Sequence, residues 1–182
     1  MTAESLLKSM GHKGALSSEL YRTAERAIEL VHTAAEHRVV YDTFEFTCEE
    51  AVRVARTELV LPGRSIKAHI ENSSRIMLMA ATLGSGIDDV IRTAQKSDMA
   101  LAAMTDFAAS LEIEAFCNKF CNSMEEKYIL TSRFSPGYGD LPLEVQTLFC
   151  KTLDTQRRIG LYATRMHILI PTKSVTAIMG VN

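Results

Sequence analysis

The sequence predicts an α+β fold, a twisted and mainly antiparallel sheet flanked by helices. Three observations carry this. Apolar residues recur at helical spacing over several long stretches. Strand-like stretches do not alternate regularly with helices, which disfavours a doubly wound parallel sheet. Two strand-like stretches also close the chain, joined by Pro171-Thr172-Lys173, which reads as a hairpin connection.

The elements follow in order. Leu6, Leu7 and Met10 form a short first helix that stops near Gly11, because glycine suits the left-handed turn after a helix. Ser17 and Ser18 offer capping oxygens to a second helix. Leu20, Ala24, Ala27, Ile28, Val31 and Ala35 line one face of it, to about His37. From Val39 the pattern changes: Val39, Val40, Tyr41, Thr43, Phe44 and Phe46 are β-branched or aromatic and favour a strand. Thr47 is then expected to cap a helix through Val52, Val54 and Ala55. Glu49 and Glu50 would occupy its first turn, where the helix dipole favours negative charge. Pro62-Gly63 marks a turn, and Ile66 to Ile70 suits one helical turn.

Ile76 to Ala81 is a continuous apolar run that reads as a central strand buried on both faces, although its pattern also suits a buried helix. Thr82-Leu83-Gly84-Ser85-Gly86 makes a tight turn into a helix over Ile87 to Gln95. Ser97 or Asp98 caps the longest helix, which runs to about Tyr128 with Leu101, Met104, Ala108, Leu111 and Ala115 on its apolar face. Arg133 to Leu141 is a loop. Pro142 fits the first position of a following helix with Leu143, Val145, Leu148 and Phe149, ended by Gly160. Ile159 to Ile170 and Ser174 to Val181 read as strands.

No internal repeat or flexible linker interrupts the chain, so residues 1–182 are expected to form one domain. With a net charge of -2, the chain offers no general attraction for nucleic acid or an anionic membrane. No signal peptide is evident, and Ile76 to Leu83 is too short to span a bilayer as a helix, so a cytoplasmic location is expected. Cys48, Cys117, Cys121 and Cys150 lack the spacing of a secreted disulfide framework and read as thiols. Cys117 and Cys121 lie one turn apart with Glu114 before them. A zinc site needs four ligands, which favours packed thiols over a metal. The scattered histidines define no Ser/His/Asp order, and the methionines fall in apolar runs as core filling.

The chemistry concentrates in Arg133-Phe134-Ser135-Pro136-Gly137-Tyr138-Gly139-Asp140. Arginine can hold a carboxylate through paired hydrogen bonds. Gly137 lets backbone approach a ligand, and Tyr138 offers a ring face and a hydroxyl. Composition alone favours a surface connection with a structural arginine over a ligand site, because Gly/Pro-rich loops are mostly connections.

The pattern Arg133-x-x-x-Gly137-Tyr138, followed by a helix, resembles the ligand-binding signature of the reactivation domain of cobalamin-dependent methionine synthase. Thr155-Gln156-Arg157-Arg158-Ile159-Gly160-Leu161, then Thr164, Pro171 and Ser174-Val175, are similar to that family's closing segment. Glu114-Ala115-Phe116 resembles the helix supplying a ligand-binding acid, and Ala80-Ala81-Thr82-Leu83-Gly84 resembles the short, stand-alone branch of the family.

The resemblance implies a reactivation-domain fold that binds S-adenosylmethionine. It further implies a cobalamin-bearing methionine synthase or other corrinoid protein as partner, and an electron-donor protein for reductive methylation. On this reading the chain is a component of a methyltransferase system rather than a complete enzyme. Arg133 would bind the ligand carboxylate and Glu114 would face its ammonium or sulfonium. Ser135 would meet the adenine through backbone groups, and Gly137 and Tyr138 would complete the wall. The alternative is a partner-binding scaffold of corrinoid metabolism without S-adenosylmethionine. Thr164-Arg165-Met166 supports it, because the family carries Thr-Glu-Ser there.

Overall fold

Side-chain caps mark the starts of three helices. In the computed structural model, which describes residues 1–14 and 17–182, Thr2 and Ser5 exchange hydrogen bonds to cap helix α1 (Ala3–Ser9). Ser17 accepts the Leu20 N–H to begin α2 (Ser18–Ala34), which ends ahead of His37 where Ala35 turns to extended backbone. Strand β1 (Arg38–Phe44) follows.

The helix expected from Thr47 to Ala55 does not form. Strands β2 (Phe46–Cys48), β3 (Val52–Val54) and β4 (Val60–Leu61) make a small antiparallel sheet there instead. Val52 and Val54 are buried on either side of exposed Arg53, the period-two signature of a strand. Glu49 and Glu50 lie in the connection between two strands, not in a helix first turn.

After Gly63 comes α3 (Arg64–Ile70), two turns rather than one. Strand β5 (Arg75–Thr82) is buried at every position after Arg75, as its unbroken apolar run predicts. Gly84, at φ 79°, makes the turn into α4 (Ser85–Ala94). Asp98 accepts the Leu101 N–H to cap α5 (Met99–Met124), the longest helix among the described residues.

Beyond the loop, α6 (Val145–Leu153) starts later than Pro142, because residues 142–144 form turns. Left-handed Asp154 separates it from α7 (Thr155–Ile159), which Gly160 ends. The strand expected over Ile159 to Ile170 thus starts late and is interrupted in its middle: Ile159 is helical, and β6 (Tyr162–Ala163) and β7 (Leu169–Ile170) pair as a short hairpin around residues 164–168. Pro171-Thr172-Lys173 leads from β7 into β8 (Ser174–Val181), but the ladder partner of β8 is β5. That hairpin expectation fails because β8 carries an apolar run that is buried only by pairing along central β5, with a core on each face.

The main sheet has the order β1-β5-β8 and is antiparallel throughout, with Val40 opposite Ala80 and Leu78 opposite Ile178. Each face carries its own core. Met77, Met79, Ala81, Ala177 and Met179 meet α1, α2, α4 and α5. Ile76, Leu78, Ala80 and Ile178 meet α3, α6, α7 and the β2-β3-β4 sheet. The sequence-derived fold class therefore holds.

Candidate ligand-binding cavity

The segment after α5 returns along the free edge of β8. Leu130 bridges to Val181 and Phe134 to Ile178, extending the sheet by one irregular edge. Alternation along extended backbone sends neighbouring side chains to opposite faces. Phe134 goes to the α3 side, its ring 5.0 Å from His69, and Arg133 goes to the α5 side. His69 Nε2 also lies 2.8 Å from the Ser132 carbonyl and 2.9 Å from Thr131 Oγ1, tying this edge to α3.

Arg133 Nη2 donates to Glu114 Oε2 at 2.7 Å and to Asn118 Oδ1 at 2.8 Å. These acceptors sit one turn apart on α5, on the face that continues through Asn122 and Glu125. Nε and Nη1 donate to no oxygen among the described residues. The Arg133 side chain is 19% exposed against 56% for Glu114, so the cation is the more sequestered partner. Burial opposes its charge, but the hydrogen bond and charge of Glu114 outweigh burial and hold its pKa above the ordinary value.

The loop is tied by its own backbone. Tyr138 N–H donates to the Ser135 carbonyl at 3.0 Å, and Gly137 N–H to the Leu141 carbonyl at 2.9 Å. Gly137 has φ 91°, a conformation that side chains beyond glycine disfavour. Asp140 anchors the loop to α3, accepting the Arg64 and Ser65 N–H groups at 2.7 and 2.9 Å. Those backbone bonds hold its carboxyl down at about 2.

Between α5, this loop and the start of β8 lies a cavity of about 590 Å³. Glu114, Asn118, Cys121, Asn122 and Glu125 form one wall. Thr131, Ser132, Arg133, Ser135, Pro136 and Tyr138 form a second, and Leu169, Val175 and the Gln146–Thr176 pair a third. Thr176 Oγ1 donates to Gln146 Oε1 at 2.9 Å, and both residues are buried. Of the residues identified from sequence, Glu114, Arg133, Ser135 and Tyr138 come together on the lining. Gly137 does not line the cavity and instead shapes the loop behind it.

Asn118, Asn122, Glu125, Gln146 and Thr176 escaped the sequence reading. Helical spacing from Glu114 contains the signal for the first three. Gln146 and Thr176 meet only through tertiary packing, so no local pattern marks them. Cys117 turns into the core, and burial pushes its thiol up to about 12. Cys121 reaches the cavity wall with Sγ 3.7 Å from Met179 Sδ. No group of three or more His, Cys, Asp or Glu is arranged to hold a metal among the described residues. A second cavity, of about 600 Å³, lies beyond α5, lined by His37, Glu112, Phe116 and Lys119 among others, with His37 Nε2 2.8 Å from Glu112.

Comparison with known proteins gives a likeness in fold alone. No family model matches the chain, and no curated protein matches it. Among solved structures, the crystal structure of the MetH reactivation domain bound to AdoHcy is similar, with a TM-score of 0.68 and 15% sequence identity. The match covers 99% of this chain and 76% of that one. Among the described residues, no helix is long and apolar enough to cross a membrane.

Proposed function

We propose that the chain is a cytoplasmic accessory component of cobalamin-dependent methionine synthase, holding S-adenosylmethionine in the Arg133 cavity for reductive methylation of cobalamin on a separate protein. The fold likeness supports the class. The observation that carries the ligand is the Arg133 guanidinium, which Glu114 and Asn118 hold at a cavity with both polar and apolar walls. A volume of about 590 Å³ falls within the usual range for small-molecule sites. The lining fits a zwitterion attached to a nucleoside: one fixed cation for a carboxylate, acids for an ammonium or sulfonium, and a ring beside them.

Each residue then has a physical task. Arg133 takes the ligand carboxylate through Nε or Nη1, because its Nη2 is already engaged. Glu114 accepts the ligand ammonium while keeping Arg133 in place. Ser135 faces the adenine through backbone groups, Tyr138 closes the rim, and Gly137 gives the loop its turn. The bound ligand supplies the methyl group, and a separate electron-donor protein supplies the electron.

Calorimetric titration tests this. Wild-type protein is expected to bind S-adenosylmethionine saturably, and Arg133→Ala to lose that binding while keeping its circular dichroism spectrum. Undiminished binding in the variant refutes the site.

A second reading makes the chain a partner-binding scaffold without ligand. Met166 and Ile168 favour it, since they are 75% and 56% exposed on the β6–β7 hairpin. Absence of S-adenosylmethionine binding, together with co-purification of a cobalamin protein, would select it.

A further inference from the structure

We propose that Asn118 is a positioning residue that orients the Arg133 guanidinium without neutralising it, and so makes the cavity selective for ligands bearing a carboxylate. This deepens the proposed S-adenosylmethionine reading and rests on it.

The argument starts from the count of charges. Arg133 Nη2 has two acceptors on α5, Glu114 Oε2 at 2.7 Å and Asn118 Oδ1 at 2.8 Å. Only Glu114 carries charge. Its side chain is 56% exposed and screened by water, whereas that of Arg133 is 19% exposed. One screened carboxylate leaves Arg133 attractive to a further anion. A second carboxylate at hydrogen-bond range would not, because two anions would then surround one cation.

The amide at Asn118 resolves two demands. The guanidinium must be fixed in direction, and one acceptor would let it rotate about a single bond. Acceptors one helical turn apart hold Nη2 in a fork, which directs Nε and Nη1 elsewhere. The field at the ligand must also stay positive there. An amide oxygen supplies the second bond at no cost in charge. Thr131 and Ser132, on the irregular edge segment that bears Arg133, carry no charge, and Glu125 is the remaining acid on the α5 wall. Net charge near Arg133 therefore depends on the residue at position 118.

The test uses the full chain and two ligands, S-adenosylmethionine and its decarboxylated analogue, with calorimetry as readout. Asn118→Asp is expected to weaken S-adenosylmethionine by about tenfold or more, the scale of one added like charge in a partly exposed site. The decarboxylated analogue should bind this variant as well as it binds wild type, or more tightly. Asn118→Ala adds no charge and removes the acceptor, so it should cost S-adenosylmethionine about two- to tenfold, the worth of one hydrogen bond, and the decarboxylated analogue no more than that. Equal losses for both ligands in Asn118→Asp would mean that Asn118 merely supports structure, and would overturn the inference. Unchanged affinity for S-adenosylmethionine in Asn118→Asp would overturn it as well, while leaving the cavity reading intact. Failure of wild-type protein to bind either ligand would refute the cavity reading, and this inference with it.

Discussion

The Thr176–Gln146 pair at the cavity floor allows a stability test that does not depend on any ligand. Thr176→Val swaps a hydroxyl for a methyl of similar size, so packing changes little and the hydrogen bond is the main loss. The bond is 2.9 Å long, with Thr176 2% and Gln146 4% exposed, so Gln146 Oε1 becomes a nearly buried acceptor without a donor. Such an orphan costs about 1–3 kcal/mol, and the adjoining cavity admits water, which places this one near 1–2 kcal/mol. For a chain of this length that corresponds to a Tm lower by about 2–8 °C. Urea denaturation gives the free energy directly. Adding Gln146→Leu removes the orphaned acceptor, so the double variant should be less destabilised than the sum of the single ones. A Thr176→Val variant within about 0.5 kcal/mol of wild type, or strict additivity, would refute the reasoning.

Three further outcomes are expected. Asp140 has its pKa depressed from 3.8 to about 2 by the Arg64 and Ser65 N–H groups, so its stabilising contribution is complete above about pH 4 and lost as the pH falls towards about 2; thermal melts should show wild type ahead of Asp140→Ala at pH 6 and level with it at about pH 2. Gly180→Ala would drive its Cβ into Ser73 Oγ and set it 3.0 Å from Thr131 Cγ2, an overpacking that should cost about 1–3 kcal/mol by denaturant titration and be partly relieved by Ser73→Ala. Iodoacetamide at pH 8 should label exposed Cys48 in the native protein and spare Cys117, whose thiol burial pushes up to about 12, until the protein is unfolded; mass spectrometry of the digested protein reads both.

The legible parts of this fold are those where burial leaves a one-dimensional trace. The run from Ile76 to Ala81 is apolar without interruption because β5 has a core on each face. Ser17 and Asp98 cap the helices they precede because their side chains reach the first free N–H groups. The β2–β3 hairpin went astray for a physical reason. An acidic pair after a threonine imitates a helix start, while only three residues, Val52-Arg53-Val54, carry the strand period. The end of the chain misled differently. Turn residues at 171–173 mark the change of direction correctly, but they do not say which strand receives β8, and burial decides for β5.

The cavity was legible in a different way: the loop stands out by its composition, whereas Glu114 and Ser135 enter only through what the family resemblance implies. Arg133, Ser135 and Tyr138 sit within one short loop, and Glu114 lies on a helix whose face can be extrapolated. Gln146 and Thr176 are 30 residues apart and meet through packing of α6 on β8. Gly137 was read as ligand-facing because flexibility suits close approach, whereas its positive φ serves the loop itself.

The most direct test of the central claim is an NMR titration of the isotopically labelled chain with S-adenosylmethionine. The amides of Asn118, Cys121, Asn122 and residues 131–135, 137 and 138 should shift in a saturable manner, and those around His37 on the far side of α5 should not. Shifts confined to the His37 side, or none at millimolar ligand, would contradict the account.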